Sequence, residues 1–387
     1  MLVNCKRFDV ISLFSQALLI ILFAGGLYGA VSARQPVNTP GPQPLQTKTP
    51  DGIRMVANPI QPRDGVQKLK YAQEWSVGGE NDPQGELINR PFDVRVGTDG
   101  SVFVLDWGDT CIRQFDAKGK FVRQIGRKGQ GPGEYDVPAY FDLDSAGGVF
   151  LVDGRSLRVT EFNKDGKPLN NFRVEKYCTQ IRTDGRGRIF LGENSSIESA
   201  GLSSEFKEIV EQTTILRTER DGRNPLRIGP FIGQKFMAKA HGQGSIVTSS
   251  SYTPMTGWGV APDGRILAGY NEKYEISVYD PDGKILFRFG REHKPLKIKR
   301  SRRGAKGPDY FPAFSPDFFF DDAGNAWFRL FKNEEDKDFL YDVFSPEGIY
   351  LRQIIAPFRI YQIRNGKGYA IVETDEGFKA LRCFRLE

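Results

Sequence analysis

Two apolar runs of one design each end on a carboxylate: Val102-Phe103-Val104-Leu105-Asp106 and Val149-Phe150-Leu151-Val152-Asp153. Trp107 and Asp109 follow the first and Arg155 the second, so each run opens into a short polar loop. Glu193 and Asn271 fall in comparable places further along. Oxygen atoms repeated in this way can hold a polar ligand or a hard cation such as calcium, which asks only for carboxylate, amide and carbonyl oxygens. The same side chains can instead cap their loops by accepting backbone amides, and repetition of the position favours that plainer role for Asp106 and Asp153.

Other chemistries are excluded more firmly. Only His241 and His293 exist, at no ligand spacing, which speaks against a histidine-rich zinc or copper site. No Ser/His/Asp arrangement announces itself. The glycines of Gly126 to Gly133 precede no Gly-Lys-Ser/Thr and lie between strands, so they form a turn and not a phosphate cradle. Seven basic residues lie between Lys294 and Lys306 with no acid among them, including Lys297, Lys299, Arg300, Arg302 and Arg303. Such a loop attracts anionic partners. It lacks the interleaved aromatics that stack nucleobases, so nucleic acid is not an expected partner. A solvated loop partly neutralised by Glu334, Glu335 and Asp336 is the plainer reading, and it carries more weight.

The elements that must position these residues are announced by glycine turns. One set follows an inner strand, at Gly100, Gly147, Gly185, Gly264, Gly324 and Gly366. The other follows an aromatic-rich strand, at Gly119, Gly166, Gly222, Gly283 and Gly348. The strict alternation implies a repeated four-stranded unit and hence an all-β, six-bladed β-propeller. Both turn sets share one face. The loops between second and third strands, with those between units, share the other, and binding is expected on that loop-rich face. Ser203 to Gln212 reads as a short helix inside an irregular third unit. The sixth unit runs out after Lys379 to Leu386. Lys70 to Gly78 looks like the outer strand Lys120 to Gly126, so we expect it to complete the last blade and close the ring.

Residues 1–33 carry Lys6 and Arg7 ahead of an uncharged run from Val10 to Ala33, with small side chains at Val31-Ser32-Ala33. They read as a signal peptide or an uncleaved membrane anchor through residues 10–33. Either implies export to the periplasm or beyond, and the anchor would tether the protein to the inner membrane. Residues 34–66, rich in proline, read as a linker whose removal up to Pro59 leaves folding intact. Residues 67–387 are the propeller, expected as a monomer. Cys111, Cys178 and Cys383 sit at unrelated spacings and read as buried strand residues, not a disulfide framework. The net charge of +6 is concentrated in the loop around Arg300.

The units resemble NHL repeats and, more broadly, bacterial exported six-bladed propellers. The likeness lies in Val104-Leu105-Asp106 followed by Ile112-Arg113-Gln114-Phe115-Asp116, and in Val152-Asp153 followed by Leu157 to Asn163. Its most specific piece is the Gly131-Pro132-Gly133-Glu134-Tyr135 loop. Repetition without a catalytic constellation points to a non-enzymatic binding or scaffold module for a protein, peptide or glycan, with no cofactor. The resemblance also implies an alternative, a calcium-dependent lactonase or lyase with its metal in the central channel. Asp106, Asp153, Glu193 and Asn271 would then supply the oxygens.

Overall fold

Aspartate at the head of a turn, with glycine three residues on, sets the local pattern of the chain. Asp116 Oδ1 accepts the amides of Lys118 and Lys120, both at 2.9 Å, while the Gly119 amide donates to the Asp116 carbonyl at 3.0 Å. Gly119 has φ of 80° there, which strains any other L-residue, and an added Cβ would lie 2.7 Å from the Trp75 ring. Asp144, Asp280 and Asp321 head turns bonded in the same way. In the third unit the left-handed glycine is Gly187, two residues beyond the expected Gly185.

The computed structural model describes residues 42–79, 82, 88–195, 201–241, 244–248, 252–299 and 308–387. Residues 1–33, read as a signal or anchor, lie outside them, as do Arg300, Arg302 and Arg303. The described residues are all-β and contain no helix, and so no helix long and apolar enough to cross a membrane. Beyond one two-stranded ribbon they form six sheets. The first pairs Pro91–Val96, Val102–Asp106, Cys111–Phe115 and Phe121–Ile125 in sequence order. The second pairs Pro138–Leu143, Val149–Asp153, Arg158–Phe162 and Pro168–Arg173, and the third begins with Cys178–Thr183 and Ile189–Asn194. Thr256–Val260, Ile266–Tyr270, Glu275–Tyr279 and Ile285–Arg291 build the fourth. Phe318–Phe320, Ala326–Arg329, Phe339–Phe344 and Tyr350–Ala356 build the fifth. The sixth is Ile360–Arg364, Lys367–Glu373 and Lys379–Leu386, with Tyr71–Val77 antiparallel to the last of these, Val77 opposite Leu381.

Apolar residues alternate along these strands, and the cores lie between sheets. Phe103 and Leu105 of the first sheet pack with Phe141 and Leu151 of the second. Comparable clusters join second to third, third to fourth, fourth to fifth and fifth to sixth. Val94 and Val104 of the first sheet meet Tyr369 and Leu381 of the sixth, so the series returns to its start. Cys111, Cys178 and Cys383 are buried, unbridged strand residues. Between the fourth and fifth sheets a buried charged knot joins the apolar core. Asp342, with no exposed surface, accepts from Arg291 Nε and Nη2 at 2.8 and 2.7 Å, from the Tyr350 hydroxyl at 2.6 Å and from Gln353 Nε2 at 2.9 Å.

Two expectations need correction. Much of the segment read as linker is built into the outside of the fold. Arg54–Asn58 runs parallel to Ile285–Arg291 and Val66–Lys68 runs parallel to Tyr350–Ala356, covering the outer edges of the fourth and fifth sheets. Leu45–Lys48 pairs outside the first of these. Val56 is fully buried. Asn58 donates to the Gly290 and Gly348 carbonyls at 2.9 and 2.8 Å and accepts the Tyr350 amide at 2.8 Å, tying the fourth sheet to the fifth. Prolines here break the chain between short edge strands, where a missing amide costs nothing. The second correction concerns the helix expected over Ser203 to Gln212. Lys207–Thr218 is a strand pairing with Ile189–Asn194 and with Leu226–His241, and Gly244–Thr248 adds a fifth strand. Its β-branched residues, Ile209, Val210, Thr213, Thr214 and Ile215, suit a pleated surface better than a helix.

Candidate functional site

Charged residues inside the first strand of a unit are costly unless they face solvent or one another. Here they line one cavity of about 580 Å³, to which the first strand of every sheet, or the residue beside it, contributes. Asp93 and Arg95 come from the first sheet, Asp142 from the second and Arg182 from the third. Val260 belongs to the fourth, Asp317 precedes the first strand of the fifth, and Arg359 precedes that of the sixth. Phe92, Tyr140, Phe319 and Tyr361 supply aromatic wall.

These groups are stitched across sheets. Arg95 Nη1 donates to Asp93 at 2.7 Å, and its Nε lies 3.2 Å from Asp142. Asp142 also accepts the Thr183 amide at 2.8 Å. Gln180 donates to the Trp258 carbonyl at 3.0 Å, and Gln362 accepts the Val96 amide at 2.8 Å. Arg359 and Arg329 approach Asp317 at 3.7 and 4.0 Å. Burial pushes the Asp93 carboxyl above its ordinary range, outweighing the pull of Arg95 and Arg182. Burial, aided by the neighbouring Arg95 charge, draws the Arg182 guanidinium down to about 10, which leaves it charged at neutral pH.

The residues singled out in the sequence lie at the other ends of the second strands. Asp106 is fully buried and accepts the amides of Asn89, Arg90, Gly108 and Asp109 at 2.8, 2.8, 2.9 and 3.4 Å. Asp153 repeats this with the amides of Asp136, Val137, Arg155 and Ser156 at 3.0 to 3.3 Å. Burial works to raise the Asp153 carboxyl, but its amide donors prevail and hold it below the usual range. Asn271 accepts the Met255 amide at 2.7 Å and donates to the Phe314 carbonyl at 2.8 Å. Trp107 stacks on Phe92 with centroids 3.7 Å apart, so it braces one wall of the cavity from behind. Asp109 pairs with Arg113, and Arg155 with Asp136 at 2.7 Å. Lys299 pairs with Glu335 while its amide donates to Asn333, and Lys297 bridges to Tyr310.

A calcium ion asks for about six to eight oxygens at one point. The oxygens of Asp106, Asp153 and Asn271 stand at or just past the ends of second strands in three different sheets and are engaged by backbone amides. Among the described residues no group of three or more His, Cys, Asp or Glu side chains gathers as metal ligands would.

Glu193 is the exception in this series. It stands opposite Cys178, as Asp106 stands opposite Pro91 and Asp153 opposite Pro138. One methylene longer, its carboxylate meets no hydrogen-bond donor at bonding distance among the described residues, although Arg227 Nε lies 3.5 Å away. Burial raises its pKa against the pull of Arg227. A folded pKa above the unfolded one makes the charged form a net cost at neutral pH, and the cost fades as pH falls toward the ordinary glutamate range. Glu193→Gln should therefore raise the melting temperature at pH about 7.5, with the gain shrinking to nothing near pH 4.5. A lowered melting temperature at neutral pH would show that the ion pair with Arg227 outweighs the burial.

The sequence reading missed the cavity residues altogether. Their signal was present as Asp93-Val94-Arg95, Asp142, Arg182 and Arg359, charges set within or beside runs that otherwise read as buried strand.

Consecutive antiparallel sheets with cores between them, and first strands lining a common cavity, define the chain as a β-propeller. Residues 86–236 match a family model described as a six-bladed beta-propeller. Among solved structures, a protein of Bacteroides fragilis described as exported superposes with a TM-score of 0.52 at 13% identity, covering 86% of this chain and 99% of that one. A member of the DUF4221 family from Bacteroides vulgatus gives 0.50 at 10% identity, covering 83% and 99%. A gluconolactonase of Xanthomonas campestris gives 0.44 at 14%, covering 91% and 99%. At these identities the likeness to the two Bacteroides structures is one of fold. No curated protein matches the chain.

Proposed function

We propose that this protein is an exported, non-catalytic binding propeller: six four-stranded blades, the ring closed by Tyr71–Val77 as the outer strand of the last. It recognises a protein, peptide or glycan as a monomer, held near the membrane or released according to the fate of residues 10–33. One observation carries the reading. The cavity is walled by arginine, aspartate and aromatic side chains, most of whose charges pair with one another, whereas Asp106 and Asp153, placed by sequence to hold a metal, serve as loop caps. A pocket with a few convergent polar groups on an apolar wall suits ligand recognition. The exported relative from Bacteroides fragilis is consistent with secretion.

The competing reading is a calcium-dependent lactonase or lyase. A calcium site filled at 100 times its dissociation constant adds about 2.7 kcal/mol to stability. Melting the protein in chelator and again in millimolar calcium should give the same transition. A rise of several degrees would overturn the non-catalytic reading.

A further inference from the structure

We propose that the axial cavity binds an acidic sugar, a hydroxylated ring bearing a single carboxylate, and that Arg182 receives that carboxylate. The inference rests on the binding reading above and names its ligand class. Most charged groups of the cavity have opposite partners. Arg95 lies between Asp93 and Asp142, and Asp317 serves Arg329 and Arg359. Toward the glycine-turn end, Asp144 pairs with Arg220, Asp184 with Arg188 and Arg364 with Asp322. Arg182 differs. Its one hydrogen bond among the described residues runs from Nη1 to the carbonyl of Ile181 at 2.7 Å, and no described carboxylate comes within ion-pair distance. Four of its five donors therefore remain for a ligand, in the fork geometry that fits a carboxylate.

The rest of the cavity selects among anions. Asp93, Asp142 and Asp317 keep acceptor capacity for ligand hydroxyls, and as negative groups they disfavour a doubly charged phosphate. Phe92 and Tyr140 line the cavity with aromatic surface suited to the C–H face of a sugar ring, while Arg359 lies over the Tyr361 ring. About 580 Å³ lies within the range typical of small-ligand pockets and accommodates one or two sugar rings.

The test is calorimetric titration of the full chain with glucuronate and with digalacturonate, using glucose and inorganic phosphate as controls. We expect heat of binding from the uronates alone. Arg182→Gln should weaken their binding by about tenfold or more, and Arg182→Lys, which keeps the charge but not the fork, should fall between. The Lys variant also guards against a Gln variant that fails to fold. The inference is overturned if neither uronate binds at about 10 mM, if phosphate competes equally, or if Arg182→Gln and Arg182→Lys bind as the parent does. Binding of a neutral glycan or peptide that ignores Arg182 would sink the acidic-sugar site while leaving the binding reading intact. Conversion of a bound uronate to a new product, seen by NMR, would sink the binding reading instead.

Discussion

Deleting residues 42–59 should destabilise the protein by about 5 kcal/mol, whereas deleting 42–48 alone should cost less than about 1 kcal/mol. The larger deletion removes Val56, whose complete burial contributes roughly 2 kcal/mol, and Asn58, whose loss strands carbonyls of Gly290 and Gly348 and the amide of Tyr350. The smaller removes only Leu45–Lys48, exposed along its length. In a thermal melt the difference corresponds to a fall of roughly 6 °C. Asn58→Ala should account for about 3 kcal/mol of it. Equal melting temperatures for both deletions would mean that the Arg54–Asn58 strand adds nothing to the fold.

Asp342→Ala should cost about 3–5 kcal/mol, or about 6 °C in melting temperature. The cost comes mainly from what is left behind: Arg291, only 8% exposed in its side chain, loses its counter-charge while held over the rings of Tyr274 and Tyr350. Burial and the nearby carboxylate already push the Tyr350 hydroxyl far above its ordinary pKa, so that group stays a proton donor and is also left unmatched. Replacing both partners, as Arg291→Met with Asp342→Leu, should recover much of the loss, because apolar groups of similar size avoid the stranded charge. A single variant within about 1 kcal/mol of the parent would show that water reaches the pair.

The local grammar of the fold was readable because it is chemical. An aspartate that accepts two amides and a glycine that takes positive φ have few substitutes, so Asp116, Asp144, Asp280 and Asp321 mark turns wherever they stand. The edge strands around Val56 were not readable, because a few residues between prolines bury one side chain in place of an alternating face. Their partners, Arg288 and Gln353, lie more than two hundred residues away in the chain. The cavity was hidden for a related reason. Arg95, Asp142 and Arg182 each look like an isolated charge in a strand, and only the packing of one sheet beside the next brings them together. Asp106 and Asp153 drew attention because their repetition is visible in one dimension, and the same repetition reflects a shared duty toward the backbone.

The outer strands also impose an order of events. Arg54–Asn58, Val66–Lys68 and Tyr71–Val77 leave the ribosome before the sheet strands they cover, which begin at Ile285, Tyr350 and Lys379. They must wait for these partners while more than half of the chain is made, and pairings between such distant segments form slowly. The front of the polypeptide is thus the last part to be fastened. The nascent chain carries these outer strands open toward their sheets until its tail arrives.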